Sequence, residues 1–132
     1  MKTIEVTVAA VFTALALAIP LLFQGTLQIS IPAIGYSATL ASHVPVMLST
    51  LFGPIVTIIV AAASSIGFLG TLGPIVGARA ATHIIWGAAT AIAIKRGMSF
   101  PKALFIIALP MHALLEGAVV LIIVPWQAAL VT

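Results

Sequence analysis

Two pairs of ionisable residues have helical spacing in strongly apolar surroundings. Arg79 and His83 are four apart in GPIVGARAATHIIWGAATAIAI, residues 73–94, and His112 and Glu116 are four apart farther along the chain. Residues at this spacing lie on one face of a helix. A guanidinium binds carboxylates in bidentate fashion, while histidine and glutamate exchange hydrogen bonds and protons. These residue types therefore indicate either a site for a small anionic ligand or a proton relay.

The composition indicates that these residues lie in a membrane. Hydrophobic residues make up 63% of the 132 residues and charged residues only 5%, with a mean hydropathy of +1.35. Soluble domains carry about 25% charged residues, so we expect a multi-pass membrane protein. The net charge of +3 rests on few residues and indicates membrane orientation rather than nucleic-acid binding. The lack of cysteine excludes disulfides and a cysteine nucleophile.

Five apolar segments predict an all-α, polytopic transmembrane helix bundle that forms a single domain over residues 1–132. The predicted spans cover residues 4–23, 38–52, 55–67, 75–94 and 103–124. The last is expected to be broken by Pro110 and to end at VPWQ, residues 124–127. The first is interpreted as a membrane helix rather than a cleaved signal peptide, because it is long enough to span.

The basic residues predict the orientation of these spans. Lys2 precedes the first span, and Lys95, Arg96 and Lys102 follow the fourth. By the positive-inside rule, the N-terminus and this basic segment lie on the cytoplasmic side. The loop of residues 24–37 then faces outward, and five spans leave the C-terminus outside.

This topology predicts that five ionisable residues converge in the outer half of the membrane. At about 1.5 Å per residue, Arg79 lies about one turn below the outer surface and His83 about two turns below it, with His43 at a similar depth and Glu116 also about two turns deep. His112 lies one turn deeper. We expect these residues to line a pocket that opens outward and favours a small anion.

Other roles for the same residues stay open. Arg79 could extend to lipid headgroups, His43 could bond a backbone carbonyl freed by Pro45, and His112 with Glu116 could be a structural pair. Three histidines and a glutamate are also a possible transition-metal set. The sequence shows no tight histidine spacing, and Arg79 would repel a cation, so no metal site is expected. No catalytic motif occurs, so the chain is not expected to be an enzyme or to bind a cofactor itself.

Small residues recur at helical spacing. Ala10, Ala14 and Ala18 form a stripe on the first span, and residues 61–65 and 87–91 are also rich in small side chains. Such stripes permit close helix packing in membranes, either within the chain or against a partner.

The segment ASHVPVMLSTLFGPIVTIIVAAASSIGFL, residues 41–69, followed by GPIVGARAATHIIWG, residues 73–87, resembles the central region of substrate-binding S-components of energy-coupling factor (ECF) vitamin transporters. The resemblance extends over about residues 5–125. It implies a protein of a prokaryotic cell membrane with a six-helix bundle, one helix more than the spans found here, and with the first outer loop covering the ligand.

The resemblance also implies partners. A transmembrane T-component would contact the stripe of Ala10, Ala14 and Ala18, and two cytoplasmic ATPases would bind the ATP. The S-component would carry its vitamin inward by toppling in the membrane.

The cargo implied is a carboxylate-bearing vitamin. Pantothenate is favoured, with its carboxylate on Arg79 and its amide and hydroxyls on His43, His83 and Glu116. Nicotinate is the alternative, with its ring near Tyr36 or Trp86, and riboflavin is disfavoured because few aromatic residues are present. A proton-coupled carrier using Glu116 and His112, or a structural subunit without ligand, are further hypotheses.

Overall fold

The computed structural model describes residues 1–23, 26–31, 36–39 and 41–131, apart from the side chains of residues 30, 31, 36–38 and 124–131. The elements in chain order are α1 (Thr3–Leu22), β1 (Gln28–Ile31), β2 (Tyr36–Thr39), α2 (Val44–Ser49) with a 3₁₀ turn (Thr50–Phe52), α3 (Pro54–Thr71), α4 (Pro74–Lys95), α5 (Phe100–Ala103), a π-helical segment (Leu104–Ala108) and α6 (Leu109–Val131).

The predicted all-α membrane bundle is confirmed. Within the described residues, four helices are long and apolar enough to cross a membrane: Thr3–Leu22, Pro54–Thr71, Pro74–Lys95 and Phe100–Ile123. The first and fourth predicted spans match α1 and α4 to within one residue at each end. The third predicted span was too short, since α3 continues to Thr71.

The second predicted span, residues 38–52, is wrong as a continuous membrane helix. Its first two residues belong to the end of β2. This strand pairs with β1 in an antiparallel hairpin, with Gln28 opposite Thr39 and Ile31 opposite Tyr36. Its helical part consists of six residues of α2 and three of the 3₁₀ turn. At about 1.5 Å per residue, this is only about half of a bilayer core of about 30 Å. Apolar composition alone does not separate a short strand followed by a half-helix from one spanning helix.

Two glycine–proline pairs set the starts of α3 and α4. Gly53 and Gly73 have positive φ angles of 102° and 93°, and each precedes the proline that begins the helix. Glycine adopts this backbone region without a Cβ clash, and proline at the first helical position loses no helical hydrogen bond. These pairs make the tight turns that bring α2, α3 and α4 side by side.

The last helix differs from its prediction at two places. Instead of a break at Pro110, a π-helical segment precedes it. A proline ring clashes with the carbonyl four residues earlier, here Ile106, which lies inside that wider segment. The predicted end at VPWQ is also wrong, because the backbone stays helical to Val131.

The core lies where α3 and α4 pack together. Trp86, Val60 and Ala61 are fully buried there. A Cβ on Gly87 would lie 2.8 Å from Thr57 Cγ2, so glycine permits this close approach. Ser65 Oγ donates a hydrogen bond of 2.8 Å to the Gly77 carbonyl across the same interface. The small residues of α3 and α4 therefore pack within the chain.

The two ends of the bundle differ in character. Glu5, Lys95 and the turn at Gly53 and Pro54 line one groove. The N-terminus and the basic segment therefore share one end, as the sequence predicted. A separate cavity lies toward the C-terminal end of α1. It is lined by Pro20 of α1 and Gln28 of β1, together with residues of α3 and α4.

Candidate functional site

Glu116 is the centre of a polar cluster inside the bundle. Its Oε2 accepts a hydrogen bond of 2.7 Å from Arg79 Nη2. Its Oε1 faces the Nε2 atoms of His43, His83 and His112 at 3.9, 3.8 and 3.9 Å. One carboxylate thus divides its two oxygens between a cation and three imidazoles.

Three parts of the fold supply this cluster. His43 lies in the turn immediately before α2, where its Nδ1 is 3.0 Å from Ser42 Oγ. Arg79 and His83 lie one turn apart on α4, and His112 and Glu116 lie one turn apart on α6. The tight α3–α4 turn and the half-helix α2 position the first three residues beside α6. The convergence that the sequence predicted is therefore found, although His43 lies on a turn and not inside a spanning helix.

The histidines are close to one another but are not hydrogen-bonded to Glu116. Ring centroids are 4.8 Å apart for His43 and His83, and 4.6 Å apart for His43 and His112. The Nε2 atoms of the three histidines lie 3.8–3.9 Å from Glu116 Oε1, which is longer than a hydrogen bond. His83 is 6% exposed, and its Nε2 is buried without a hydrogen-bond partner. At the centre of the cluster, three imidazole nitrogens thus face one carboxylate oxygen across a short gap.

Trp86 forms the apolar support of the cluster. It is fully buried, and its ring lies edge-on to His83 at 5.3 Å and to His112 at 5.7 Å. The placement of a ligand ring near Trp86 stays a prediction. Trp86 packs edge-on with both imidazole rings and so helps to fix their orientation.

A cavity with a volume of about 60 Å³ adjoins this cluster. Because one water occupies about 10–15 Å³ of cavity volume on the same measure, this cavity has room for several water-sized groups and suits a compact ligand. Of the predicted ligand-binding residues, the four that line it are Arg79, His83, His43 and Glu116. His112 belongs to the cluster but is not among the lining residues. The side chain of Tyr36 lies outside the described residues.

Other residues that line the cavity were not predicted. They include Gln28 and Thr39 of the hairpin, Ser42, Ser64 and Phe68. Phe68 lies in the C-terminal turn of α3, which the sequence analysis had placed beyond the third span. A longer third span would have brought Phe68 to the depth of Arg79. The hairpin residues carry no comparable signal, because their position depends on strand pairing.

The predicted partner stripe has mixed exposure. Ala10 and Ala14 are exposed, whereas Ala18 is half-buried. Ala10 and Ala14 line a shallow apolar groove between α1 and α3. The small side chains on α1 thus leave an open surface, in contrast to those at the α3–α4 interface.

Comparison with known proteins finds a similar transporter. The chain is 38% identical over 84 residues to the niacin transporter NiaX of Lactococcus lactis subsp. cremoris, strain MG1363. The match covers 63% of this chain and 36% of that protein, so it spans about a third of the relative's length. No protein-family profile matches the chain, and no solved structure matches it.

Proposed function

We propose that this chain is the substrate-binding membrane subunit of an ECF-type importer and that its cargo is nicotinate. The observation that carries the proposal is a compact polar cavity, with a buried arginine, inside an otherwise apolar bundle. An arginine at membrane depth costs about 2.5–3.5 kcal/mol on insertion scales, so such residues mark functional sites. Similarity to a niacin transporter supports the choice of cargo.

The charged end of nicotinate is matched by Arg79. The guanidinium has five N–H donors in a planar fork, a geometry that matches a carboxylate. Glu116 fixes the direction of the fork, and a carboxylate in the cavity adds to that ion pair. His43 and His83 line the same space and supply hydrogen bonds to the ligand.

The ring end of nicotinate is matched by an apolar wall. Phe68, Val46 and Ala80 line the cavity beside the polar residues. A flat pyridine ring packs against such a wall, and one aromatic face contributes about 0.5–1.5 kcal/mol beyond area burial. Pantothenate is longer and carries hydroxyl groups along its chain, which would lie against these apolar side chains. The compact cavity therefore supports nicotinate over pantothenate, the cargo that the sequence favoured.

Energy for import comes from partners in this proposal. The exposed Ala10 and Ala14 surface is the proposed contact with a T-component, since small residues permit close helix approach in membranes. Two ATPases on the cytoplasmic side drive the toppling of the loaded subunit. The end that carries Lys95 and Arg96 is then cytoplasmic, in accordance with the positive-inside rule.

The binding proposal is tested by equilibrium dialysis of the detergent-solubilised chain with radiolabelled nicotinate. Unlabelled nicotinate should displace the label, whereas unlabelled pantothenate and riboflavin should not at equal concentration. In a parallel dialysis with labelled pantothenate, retention of pantothenate without retention of nicotinate would restore the pantothenate assignment. A folded protein that retains no label would refute a nicotinate-binding subunit.

The energy source is tested separately by uptake in cells. Nicotinate uptake should require the T-component and both ATPases, and should persist when the proton gradient is collapsed. Uptake by this chain alone that stops with the gradient would identify the proton-coupled carrier instead.

A further inference from the structure

The polar cluster around Glu116 contains most of the residues of this chain whose side chains commonly bind metal ions. The sequence contains three histidines, two acids and no cysteine. All three histidines and one of the two acids, Glu116, offer ligand atoms that lie within 4.8 Å of one another. The linear spacing of these residues gave no hint of a metal site, because three separate parts of the fold bring them together.

The distances fit a four-ligand metal ion. Zinc binds imidazole nitrogen at about 2.0–2.1 Å, which places tetrahedral ligand atoms about 3.3 Å from one another. The three Nε2 atoms lie 3.8–3.9 Å from Glu116 Oε1. All four ligand atoms lie within 4.8 Å of one another, so side-chain rotations of less than about 1 Å at each ligand atom bring the set to tetrahedral spacing. The buried Nε2 of His83, which has no hydrogen-bond partner, faces the same gap.

Arg79 holds the carboxylate in the position a metal ligand needs. Carboxylates that bind metals are usually fixed by a second hydrogen bond from outside the coordination sphere. Arg79 Nη2 makes such a bond to Oε2 at 2.7 Å and leaves Oε1 directed at the histidines. The sequence-based objection that Arg79 would repel a cation loses its force here, because Glu116 neutralises the guanidinium at contact distance.

We propose that His43, His83, His112 and Glu116 form a binding site for a divalent transition-metal ion. Three imidazole nitrogens and one carboxylate oxygen, without thiolate, favour Zn²⁺ and related ions such as Co²⁺ and Ni²⁺ over Ca²⁺ or Mg²⁺. The inference rests on this geometry and does not require nicotinate to be the cargo.

A bound ion would also change the charge of the cavity wall. The Arg79–Glu116 pair is neutral as a unit, and a divalent cation makes the wall strongly positive. The ion would therefore favour an anionic ligand in the adjoining cavity. A vitamin carboxylate would be bound more tightly by the metal-loaded protein than by the metal-free protein.

The test uses the full chain, purified without a polyhistidine tag and stripped of metal with a chelator. Zn²⁺ is titrated by calorimetry, and the zinc K-edge absorption of the loaded wild-type protein gives the coordination shell. We expect one Zn²⁺ per chain, four nitrogen or oxygen neighbours at about 2.0–2.1 Å, and the outer-shell scattering of imidazole rings. No binding by the folded protein, or a spectrum without imidazole scattering, would overturn the proposal.

Variants identify the ligands. His43→Ala and Glu116→Gln should each weaken Zn²⁺ binding by about tenfold or more, whereas Glu5→Gln, which alters the other acid, should bind as the wild type does. Zn²⁺ binding unaffected by either cluster variant would place the ion elsewhere and refute the site. The spectrum of the wild-type protein decides the outcome if a cluster variant does not fold.

Nicotinate binding is measured on both the metal-free and the loaded protein. Nicotinate binding without any Zn²⁺ binding would refute the metal site and leave the transport proposal standing. Zn²⁺ binding without nicotinate binding in either form would leave the metal site standing and refute nicotinate as the cargo.

Discussion

Arg79 and Glu116 form a direct ion pair across α4 and α6, with Nη2 and Oε2 2.7 Å apart. The side chain of Arg79 is 6% exposed and that of Glu116 is 15% exposed. Burying such a pair costs the hydration of both ions, and their mutual attraction offsets that cost. Removing one partner therefore leaves the other charge buried without compensation. The pair also decides where the arginine points, which is toward the cavity and not toward lipid headgroups.

Replacing Arg79 should abolish recognition of the vitamin carboxylate. In Arg79→Gln we expect nicotinate affinity to fall by about tenfold or more, because a hydrogen bond to a charged group contributes about 1.5–3 kcal/mol. The matched control is Arg96→Gln, which alters the chain's other arginine at the exposed end of α4. Equal affinities in the two variants, measured by dialysis, would remove Arg79 from the site.

Replacing Glu116 should destabilise the fold. Glu116→Gln leaves the Arg79 charge buried without its carboxylate, and breaking such a pair costs on the order of 3 kcal/mol. Glu5→Gln alters an exposed hydrogen bond to the Lys2 backbone and should change stability by less than about 0.5 kcal/mol. Thermal unfolding in detergent compares the two. A Glu116 variant as stable as the Glu5 variant would show that the ion pair carries little stability.

Adding a methyl group at the α3–α4 interface should be harmful. In Gly87→Ala the new Cβ would lie 2.8 Å from Thr57 Cγ2, and overpacking of this kind costs about 1–3 kcal/mol. Gly117→Ala is the control on α6, where the added Cβ would meet no other described part of the chain within 4 Å and helix propensity favours alanine. The melting temperature should fall in the first variant and be unchanged or higher in the second. The opposite order would contradict the close packing of α3 against α4.

The exposed alanine surface should serve transport and not binding. In the double variant Ala10→Leu with Ala14→Leu, nicotinate binding to the isolated chain should be unchanged, while co-purification with the T-component and uptake are lost. Ala118→Leu changes another exposed alanine, on α6, and should leave both readouts intact. If the double variant still assembles and imports, the partner contact lies on a different surface.

The sequence allowed the helical bundle to be predicted because its signals are strong and local. Long apolar runs and glycine–proline pairs define α1 and α4 closely. The segment of residues 38–52 was misassigned because its apolar composition suits both a strand and a helix. Only the pairing of β2 with β1, a contact between separate segments, decides between them.

The candidate site could be predicted in part. The spacing of Arg79 with His83, and of His112 with Glu116, placed each pair on one helix face, and the depth argument brought the pairs together. That Glu116 divides its oxygens between Arg79 and the histidines depends on helix rotation, which periodicity in a nearly uniform apolar helix does not define. The same limit concealed the metal-like geometry, whereas Phe68 was missed because the predicted third span ended one residue before it.

The central claim is that the cavity binds a vitamin by its carboxylate, and calorimetric titration with nicotinate and nicotinamide tests it most directly. The two molecules share the pyridine ring and differ in the charged group that Arg79 is proposed to bind. We expect one nicotinate per chain, with nicotinamide bound at least about tenfold more weakly, a difference of about 1.4 kcal/mol or more. Equal affinity for the two, or tighter binding of nicotinamide, would contradict carboxylate recognition by this site.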